Sequence, residues 1–512
     1  MNPFVNNFQT RAFTNTNCGS ILHIMARVCS KLNSPFLLLL FLAYLFSCNN
    51  EKQEPGHSKI FNSPECVTKR ITGIRSSDVY DLSGYKQIGG GDPYNLFDEA
   101  DFVDPLKKIG NPATNPHPTK SPANYFRVNT GSRIVIDLQT AYQLSSIYLY
   151  DRSSVSDSVF IYTGSMRDWK LQASYSTTDN TGAWGWKKIS VSDQTRFLMV
   201  RFSSYESQVT EMVIYGCATG SPSANKEKAV LAEVFTQKPM RAFLGVNAYE
   251  PIDPAWLSPF NSVRLYTFTS QIDNDTLRPY PANRYNLSVH SRYDSLKNND
   301  DFFADSIVRD QHKELWYSII GVPKWMENLG YGNHDRPVTL PGMDTEDPES
   351  YRRHSEMYWS LAAAFGSQKH DSASIRSSGR PASGRGLMNV YENGNEPDAF
   401  WVGSKYCDPM EYFAMSSAVY DGHEKLLGSN MGLRQADDQA RLMMAGFATL
   451  DTNRLRVLNF ISRNLRSDSL FIWRGGVQYH HYSHNGQGIT PGDRWSRATG
   501  GITPEEDSLR IK

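Results

Sequence analysis

The 512-residue sequence has no excess of either charge and shows no strong sign of a membrane-spanning segment. Lysine and arginine number 53, and aspartate and glutamate also number 53. This balance argues against a nucleic-acid-binding protein that works by neutralising phosphates, so no nucleic-acid partner is expected. The apolar run at residues 36–46 is 11 residues long, whereas a helix that crosses a bilayer needs about 20 apolar residues. Its length is that of a signal-peptide core.

Residues 1–48 are therefore predicted to be a leader for export. The four residues that end at Cys48 (Leu-Phe-Ser-Cys) resemble the lipobox of bacterial lipoproteins, in which the cysteine is acylated and becomes the new amino terminus. The resemblance implies lipidation of Cys48 and a protein anchored to the bacterial outer membrane, on its periplasmic or cell-surface side, by lipid alone. An ordinary secretory signal is the alternative. Residues 49–64 are polar and contain proline and glycine, which predicts a flexible tether.

Cysteine is scarce, with six in the chain. Three of them, Cys66, Cys217 and Cys407, lie beyond the leader. Export would place them in an oxidising compartment, where a disulfide is permitted.

Residues 65–218 lack helical periodicity and are rich in short, alternating apolar runs. Turn-forming residues at 129–131, 179–182 and 192–193 separate these runs. The pattern predicts an antiparallel β-sandwich, with strands at 132–138, 145–150, 169–174, 186–190, 196–202 and 211–215.

Several of these segments resemble the discoidin or coagulation factor 5/8 type C family, which has a galactose-binding-like jelly roll. The resemblance rests on 95–99, 134–138, the strand at Trp169, 197–202 and 210–216. It implies ligand binding, commonly of sugars, through loops at one end, and some members hold a structural calcium. Because the chain ends meet and are often cross-linked in this family, it also implies a disulfide between Cys66 and Cys217. A spacer without a ligand is the alternative.

After a linker at 219–240, residues 241–512 alternate between strands and helices. Strands are predicted at 243–249, 262–268, 314–320, 440–445 and 476–482, with a further strand that ends at Glu396. Helices are predicted at 348–365, 409–427 and 454–465. Repeated βα units with apolar strands predict a parallel sheet and favour a TIM-type (β/α) barrel, incomplete at its C-terminal end, with about six of eight strands.

The strand that leads to Glu396 carries the most informative motif. Pro397 cannot donate to a strand ladder and pushes Glu396 towards an extended or turn conformation, so the strand should stop there. A carboxylate at the carboxyl end of a parallel strand, with an amide from Asn395 beside it, is placed to act as a general acid on a glycosidic bond. An ordinary exposed glutamate in a turn is the alternative.

Four motifs in order resemble glycoside hydrolases of clan A, nearest to family 39-like enzymes. They are 263–266 (Val-Arg-Leu-Tyr), 323–326 (Pro-Lys-Trp-Met), 392–397 (Glu-Asn-Gly-Asn-Glu-Pro) and 480–482 (His-His-Tyr). The resemblance implies a retaining hydrolase of β-glycosidic bonds in a polysaccharide or oligosaccharide, with no cofactor for catalysis. Glu396 would be the acid/base. The substrate-binding residues would be Asn395 at the sugar 2-hydroxyl, Arg264 as the cation that keeps the nucleophile ionised, His480 and Tyr482 in a subsite, and Trp325 and Trp401 as stacking platforms.

Further expectations concern Glu392, metal binding and the nucleophile. Glu392 is expected to be a hydrogen-bonded group of the barrel interior, and His480, His481 and His484 lack nearby carboxylates, so no metal site is expected. The nucleophile of clan A follows a seventh strand, which this chain is expected to lack. We therefore interpret the chain as a partial copy of a longer enzyme that is inactive by itself. The alternative function is a non-catalytic carbohydrate-binding or adhesin lipoprotein.

Overall fold

The computed structural model describes residues 66–83, 93–97, 126–127, 132–151, 158–176, 185–203, 208–220, 245–248, 254–273, 305–330, 339, 342–376, 383–399, 405–448 and 451–480. The leader with Cys48, the tether, most of the linker, Trp401 and Tyr482 lie outside the described residues.

The first part of the chain forms nine antiparallel strands, as the alternating pattern predicts. They are β1 (Lys69–Arg70), β2 (Val79–Asp81), β3 (Phe126–Arg127), β4 (Arg133–Asp151), β5 (Ser158–Ser165), β6 (Asp168–Ser176), β7 (Gly185–Ser190), β8 (Gln194–Phe202) and β9 (Gln208–Ala218). Hydrogen bonds join them in the order β1-β9-β4-β8-β5-β6, with β2 and β7 paired to β4 and β3 paired to β9.

Strand β4 is continuous where two separate strands were expected. Its residues up to Asp137 pair with β2 and β8, and those after Tyr142 pair mainly with β7 and β9. The change falls at Gln139, whose φ is 65° and whose N–H donates to the Asp137 carboxylate at 2.8 Å. Apolar side chains of both halves, such as Ile136 and Ile147, are buried in one core. The strands thus wrap around that core in a jelly-roll-like arrangement.

Cys66 and Cys217, the pair implied by the discoidin resemblance, are joined in a disulfide with their Cα atoms 5.7 Å apart. The pairing of β1 with β9, with Lys69 opposite Gly216, brings the two ends of this part of the chain together. Cys407 is a buried free thiol.

The second part contains a parallel sheet, also as predicted. Its strands are β10 (Gly245–Ala248), β11 (Ser262–Phe268), β12 (Glu314–Ile320), β13 (Val390–Asn393) and β14 (Arg441–Met444). Each pairs with the next in sequence order. Beyond β14, parallel bridges link Met443 to Gly476 and Phe447 to Tyr479, so the predicted sixth strand is represented by two single bridges. Closure of this sheet into a barrel stays a prediction.

Helices alternate with these strands. They are α1 (Thr269–Ile272), α2 (Lys324–Glu327), α3 (Arg352–Phe365, after a 3-10 turn at Pro348–Tyr351), α4 (Pro409–Asp421), α5 (Leu433–Ala436) and α6 (Thr452–Leu465). Helix α4 ends before the predicted residue 427 because Gly422 adopts a left-handed conformation that terminates it. In the described part of the chain, none of the helices has the length and apolar character needed to cross a membrane.

The β part packs directly on helix α6. The ring of Tyr80 on β2 stacks on Phe460 with centroids 3.8 Å apart, and Phe197 meets the same ring edge-on at 5.8 Å. Arg456 lies over Tyr80 at 4.7 Å and donates to the Val79 carbonyl at 2.7 Å. The aromatic contact and the hydrogen bond fix β2 against the helix.

Candidate functional site

The backbone after β13 turns sharply at the Asn-Glu-Pro tripeptide. The strand ends at Asn393, Gly394 has a φ of 88°, and Glu396 has a φ of 51°. The N–H of Glu396 donates to the Gly446 carbonyl at 2.9 Å, and its own carbonyl accepts from Ala399 at 3.0 Å. The strand therefore stops three residues earlier than predicted. Of the two predicted conformations for Glu396, the turn is present and the extended one is wrong, because these hydrogen bonds hold it in the left-handed region.

The Glu396 carboxylate is held by two basic groups at the carboxyl end of the sheet. His480 Nδ1 lies 2.8 Å from Oε1, and Lys405 Nζ lies 3.6 Å from Oε2. The Glu396 side chain is 15% exposed. The backbone N–H of His480 donates to the Phe447 carbonyl at 2.6 Å, which fixes its ring beside the carboxylate. A partly buried carboxylate between a histidine and a lysine can be held in one orientation and can exchange a proton.

Below this carboxylate lies a buried ion pair between Arg264 on β11 and Glu392 on β13. Arg264 Nε and Nη2 lie 2.6 and 2.5 Å from the two Glu392 oxygens, and their side chains are 6% and 0% exposed. The Gly446 N–H donates to Glu392 Oε1 at 3.0 Å, and the guanidinium lies 4.0 Å from the Tyr266 ring centroid. Glu392 thus lies in the interior, as expected. Arg264 was expected to keep a nucleophile ionised; among the described residues the carboxylate that it binds is Glu392, through Nε and Nη2, and the contact with a nucleophile stays a prediction.

Asn395 is oriented by the same arginine. Its Oδ1 lies 3.4 Å from Arg264 Nη2, at the long end of hydrogen-bond distance. This contact directs the carbonyl oxygen inward, and the side-chain NH2 group is then the part that can meet a ligand. The predicted contact with a sugar 2-hydroxyl stays a prediction.

A neutral hydrogen-bonding layer supports the turn from behind. His354 Nε2 lies 2.9 Å from Asn393 Oδ1, and Tyr358 donates to the Glu392 carbonyl at 3.0 Å. Tyr412 donates to the Asn393 carbonyl at 3.2 Å. Burial lowers the pKa of His354 to about 4 and raises the pKa of Tyr358 well above its usual value, so both side chains are neutral at pH 7.

Sequence reasoning missed this layer and Lys405. His354 and Tyr358 lie four residues apart on α3, the spacing of one helix face, but such a spacing is equally typical of a packed core. Lys405 follows Glu396 by nine residues and belongs to no pattern.

Trp325 is not an open stacking platform in the structure. It lies in α2, is 5% exposed, and packs with Val322 and Met326. The Pro-Lys-Trp segment turns the ring inwards, which corrects the expectation of a sugar-facing indole. The other predicted platform, Trp401, and the subsite residue Tyr482 are outside the described residues.

The described residues contain no cluster of three or more His, Cys, Asp or Glu side chains that could hold a metal ion. His480 lies instead within hydrogen-bond distance of the Glu396 carboxylate. Calcium in the β part stays untested.

No family model matches the chain, and no curated protein matches it. Solved structures that it resembles include CBM32 of AlyQ in complex with 4,5-unsaturated mannuronic acid (19% identity, 28% of this chain and 97% of that chain, TM-score 0.20). They also include the family 32 CBM from C. perfringens NanJ in complex with galactose (12%, 29% and 99%, TM-score 0.20).

The match with the truncated AlyQ that has CBM32 and alginate lyase domains spans 34% of that chain and 30% of this one, at 18% identity and a TM-score of 0.20. The match with a family 89 glycoside hydrolase from Clostridium perfringens spans 15% of that chain and 29% of this one, at 14% identity and a TM-score of 0.21. Likenesses at these values support no conclusion about function, which has to be inferred from the site itself.

Proposed function

We propose that the protein hydrolyses β-glycosidic bonds in a polysaccharide or oligosaccharide by a retaining, double-displacement mechanism in which Glu396 is the general acid and base. The observation that carries the proposal is the Glu396 carboxylate, 15% exposed at the carboxyl end of β13 and held by His480 and Lys405. Proton transfer to a glycosidic oxygen needs a carboxyl group that is fixed in place and can change its protonation state.

The neighbours of Glu396 suit both halves of such a reaction. In the first half the carboxyl group protonates the leaving oxygen, and Lys405, 3.6 Å away, stabilises the carboxylate that remains. In the second half the same carboxylate takes a proton from water, and His480 keeps it oriented. Asn395, positioned by Arg264, offers its amide to the substrate.

A retaining mechanism needs a second carboxylate about 5 Å from the acid. Glu392, the carboxylate of the same motif, is fully buried and bound to Arg264 through both oxygens, so it serves structure. We assign the nucleophile to residues other than those that the structure describes. If this assignment fails, carbohydrate binding without hydrolysis is the second candidate, and the engagement of Glu392 by Arg264 is the observation that favours it.

Around this site we propose an exported lipoprotein, anchored at Cys48, whose jelly-roll-like part binds carbohydrate. The leader sequence and the discoidin-like motifs support these two points.

The test is hydrolysis by the natural gene product on a panel of plant and algal polysaccharides. On any substrate that is cleaved, Glu396→Gln should lower kcat about 10²–10⁴-fold, the usual contribution of a general acid or base. Glu349→Gln, which changes a 48% exposed side chain in the turn before α3, is the matched control and should leave kcat unchanged. Equal activity of wild type and Glu396→Gln would refute the proposal. Tight binding of a polysaccharide without cleavage would favour the second candidate.

A further inference from the structure

The segment that carries Lys405 is attached to the turn that carries Glu396. This segment, residues 405–408, comes directly before helix α4. Lys405 Nζ lies 3.6 Å from Glu396 Oε2. Two residues further on, the Cys407 N–H donates to the Pro397 carbonyl at 2.9 Å. A shift of the segment would therefore move the ammonium group away from the carboxylate.

The other two residues of the segment contact the β part. The hydroxyl of Tyr406 donates to the carbonyl of Ser83, just after β2. Asp408 Oδ2 lies 3.5 Å from Nη2 of Arg133 on β4. The odd-numbered residues of the segment thus contact the Glu396 turn, and the even-numbered ones contact the β part. The segment joins the two.

Buried neighbours surround this junction. Leu82 precedes Ser83, Cys407 follows Tyr406, and both of these apolar residues are 1% exposed in one common core. Arg454 on α6 donates to the Cys407 carbonyl and lies 5.7 Å from the Tyr406 ring centroid. Close-packed interiors have low compressibility, so a displacement of Tyr406 is transmitted along the segment rather than absorbed.

We propose that the β part positions Lys405 against Glu396, through the hydrogen bond of Tyr406 with Ser83 and the ion pair of Asp408. A lysine ammonium group sits on a flexible four-carbon stem, so its place depends on where its backbone is held. Tyr406 and Asp408 are then positioning residues that act through Lys405. The effect on catalysis rests on the proposed function of Glu396, whereas the position of Lys405 does not.

The first test measures how fast an amine-specific acetylating reagent modifies Lys405 in the natural protein, read by peptide mass spectrometry. The Lys405 side chain is 19% exposed and contacts Glu396, so it should react slowly. Tyr406→Phe removes only the hydroxyl and should raise the rate about 2–10-fold, the factor equivalent to one hydrogen bond. Lys170, whose side chain is 68% exposed, supplies the reference rate. An unchanged rate at Lys405 would overturn the proposal.

A control variant distinguishes this link from a general loosening of the β part. Arg456 donates to the carbonyls of Ser77 and Val79 at 3.0 and 2.7 Å. Arg456→Met removes these two hydrogen bonds between α6 and the β part and leaves the contacts of residues 405–408 in place, so the rate at Lys405 should not change. An increase as large as that in Tyr406→Phe would overturn the assignment.

A second variant decides if Tyr406→Phe does not fold. Asp408 is the N-cap of α4 and accepts from the Glu411 N–H at 2.8 Å. Serine is also a good N-cap residue, but it is too short to reach Arg133. Asp408→Ser should therefore keep the helix and raise the labelling rate of Lys405, and an unchanged rate would overturn the proposal.

The last test is kinetic, on any substrate that the natural protein cleaves. Tyr406→Phe should lower kcat with little change in KM, and it should have no further effect in a Lys405→Met background, because it acts through that lysine. Additive effects on kcat would contradict this route. If nothing is cleaved, or if Glu396→Gln keeps full activity, the proposed function fails, and the labelling rates alone decide whether the β part positions Lys405.

Discussion

The buried pair of Arg264 and Glu392 gives the most quantitative prediction. Their bidentate contact at 2.5–2.6 Å is between side chains that are 6% and 0% exposed. Removal of one partner from such a pair leaves an uncompensated buried charge, which typically costs about 3–5 kcal/mol. Total stabilities are about 5–15 kcal/mol, so Arg264→Met should remove a large part of the free energy of unfolding.

A double-mutant cycle measures the interaction energy between Arg264 and Glu392 separately from the effect of each substitution on other contacts. Glu392→Gln also leaves a charge unpaired, but the Gln can still accept the hydrogen bond that Gly446 donates at 3.0 Å, so its cost should be smaller. In the double variant Arg264→Met/Glu392→Gln no charge remains, and the total cost should fall short of the sum of the single costs by about 2–3 kcal/mol. Urea unfolding followed by circular dichroism measures all four proteins.

An exposed pair supplies the matched control. Arg309 and Asp305 lie 2.9 Å apart, but their side chains are 57% and 38% exposed. Exposed pairs contribute about 0–1 kcal/mol, so Arg309→Met should change stability little. The reasoning is refuted if Arg264→Met costs no more than Arg309→Met, or if the costs of Arg264→Met and Glu392→Gln simply add.

Three further predictions follow from contacts elsewhere. Lys405→Met removes the cation that lies 3.6 Å from Glu396, so the carboxylate left after proton donation loses a stabilising charge and kcat on any substrate that is cleaved should fall; an unchanged kcat would contradict this. Cys66→Ser opens a loop of 151 residues and should cost up to about 4–5 kcal/mol in the chain-entropy model; an unchanged urea midpoint would argue against it. Tyr80→Ala removes the stack on Phe460 and should cost about 2–3 kcal/mol, whereas full stability would show that this contact is dispensable.

The sequence predicted strands correctly where the pattern of apolar residues along the chain is strong. The apolar βα repeats predicted the first and last residues of the parallel strands β11 and β12 correctly. Both strands are largely buried, so only one pairing register with their neighbours keeps their apolar side chains in the core. In the β part, strand β5 (Ser158–Ser165) was missed although buried and partly exposed residues alternate along most of it. Strand β4 was divided in two because a bend at Gln139 resembles a turn when partners are unknown.

At the candidate site, the sequence pointed to Glu396 because a proline and an amide mark it, and its role as the acid/base stays a prediction. It could not find Lys405, which lies nine residues after Glu396 but belongs to no pattern, or His354, which reaches the site from a helix distant in sequence. The resemblance also implied that Trp325 is a sugar-stacking platform, because the Pro-Lys-Trp motif does not show whether the indole faces a ligand or packs inward. Such errors arise where tertiary packing, rather than local pattern, decides which way a side chain points.

The most direct test of the central claim is chemical rescue of Glu396→Ala with azide, on an aryl glycoside of the sugar that the natural protein cleaves. With a highly activated leaving group the first step needs no acid, whereas the second step still needs a base to deprotonate water. Azide needs no deprotonation, so it should restore turnover and give a glycosyl azide with the configuration of the substrate. If azide has no effect on Glu396→Ala, or if the azide product is inverted, Glu396 is not the acid/base of a retaining hydrolase.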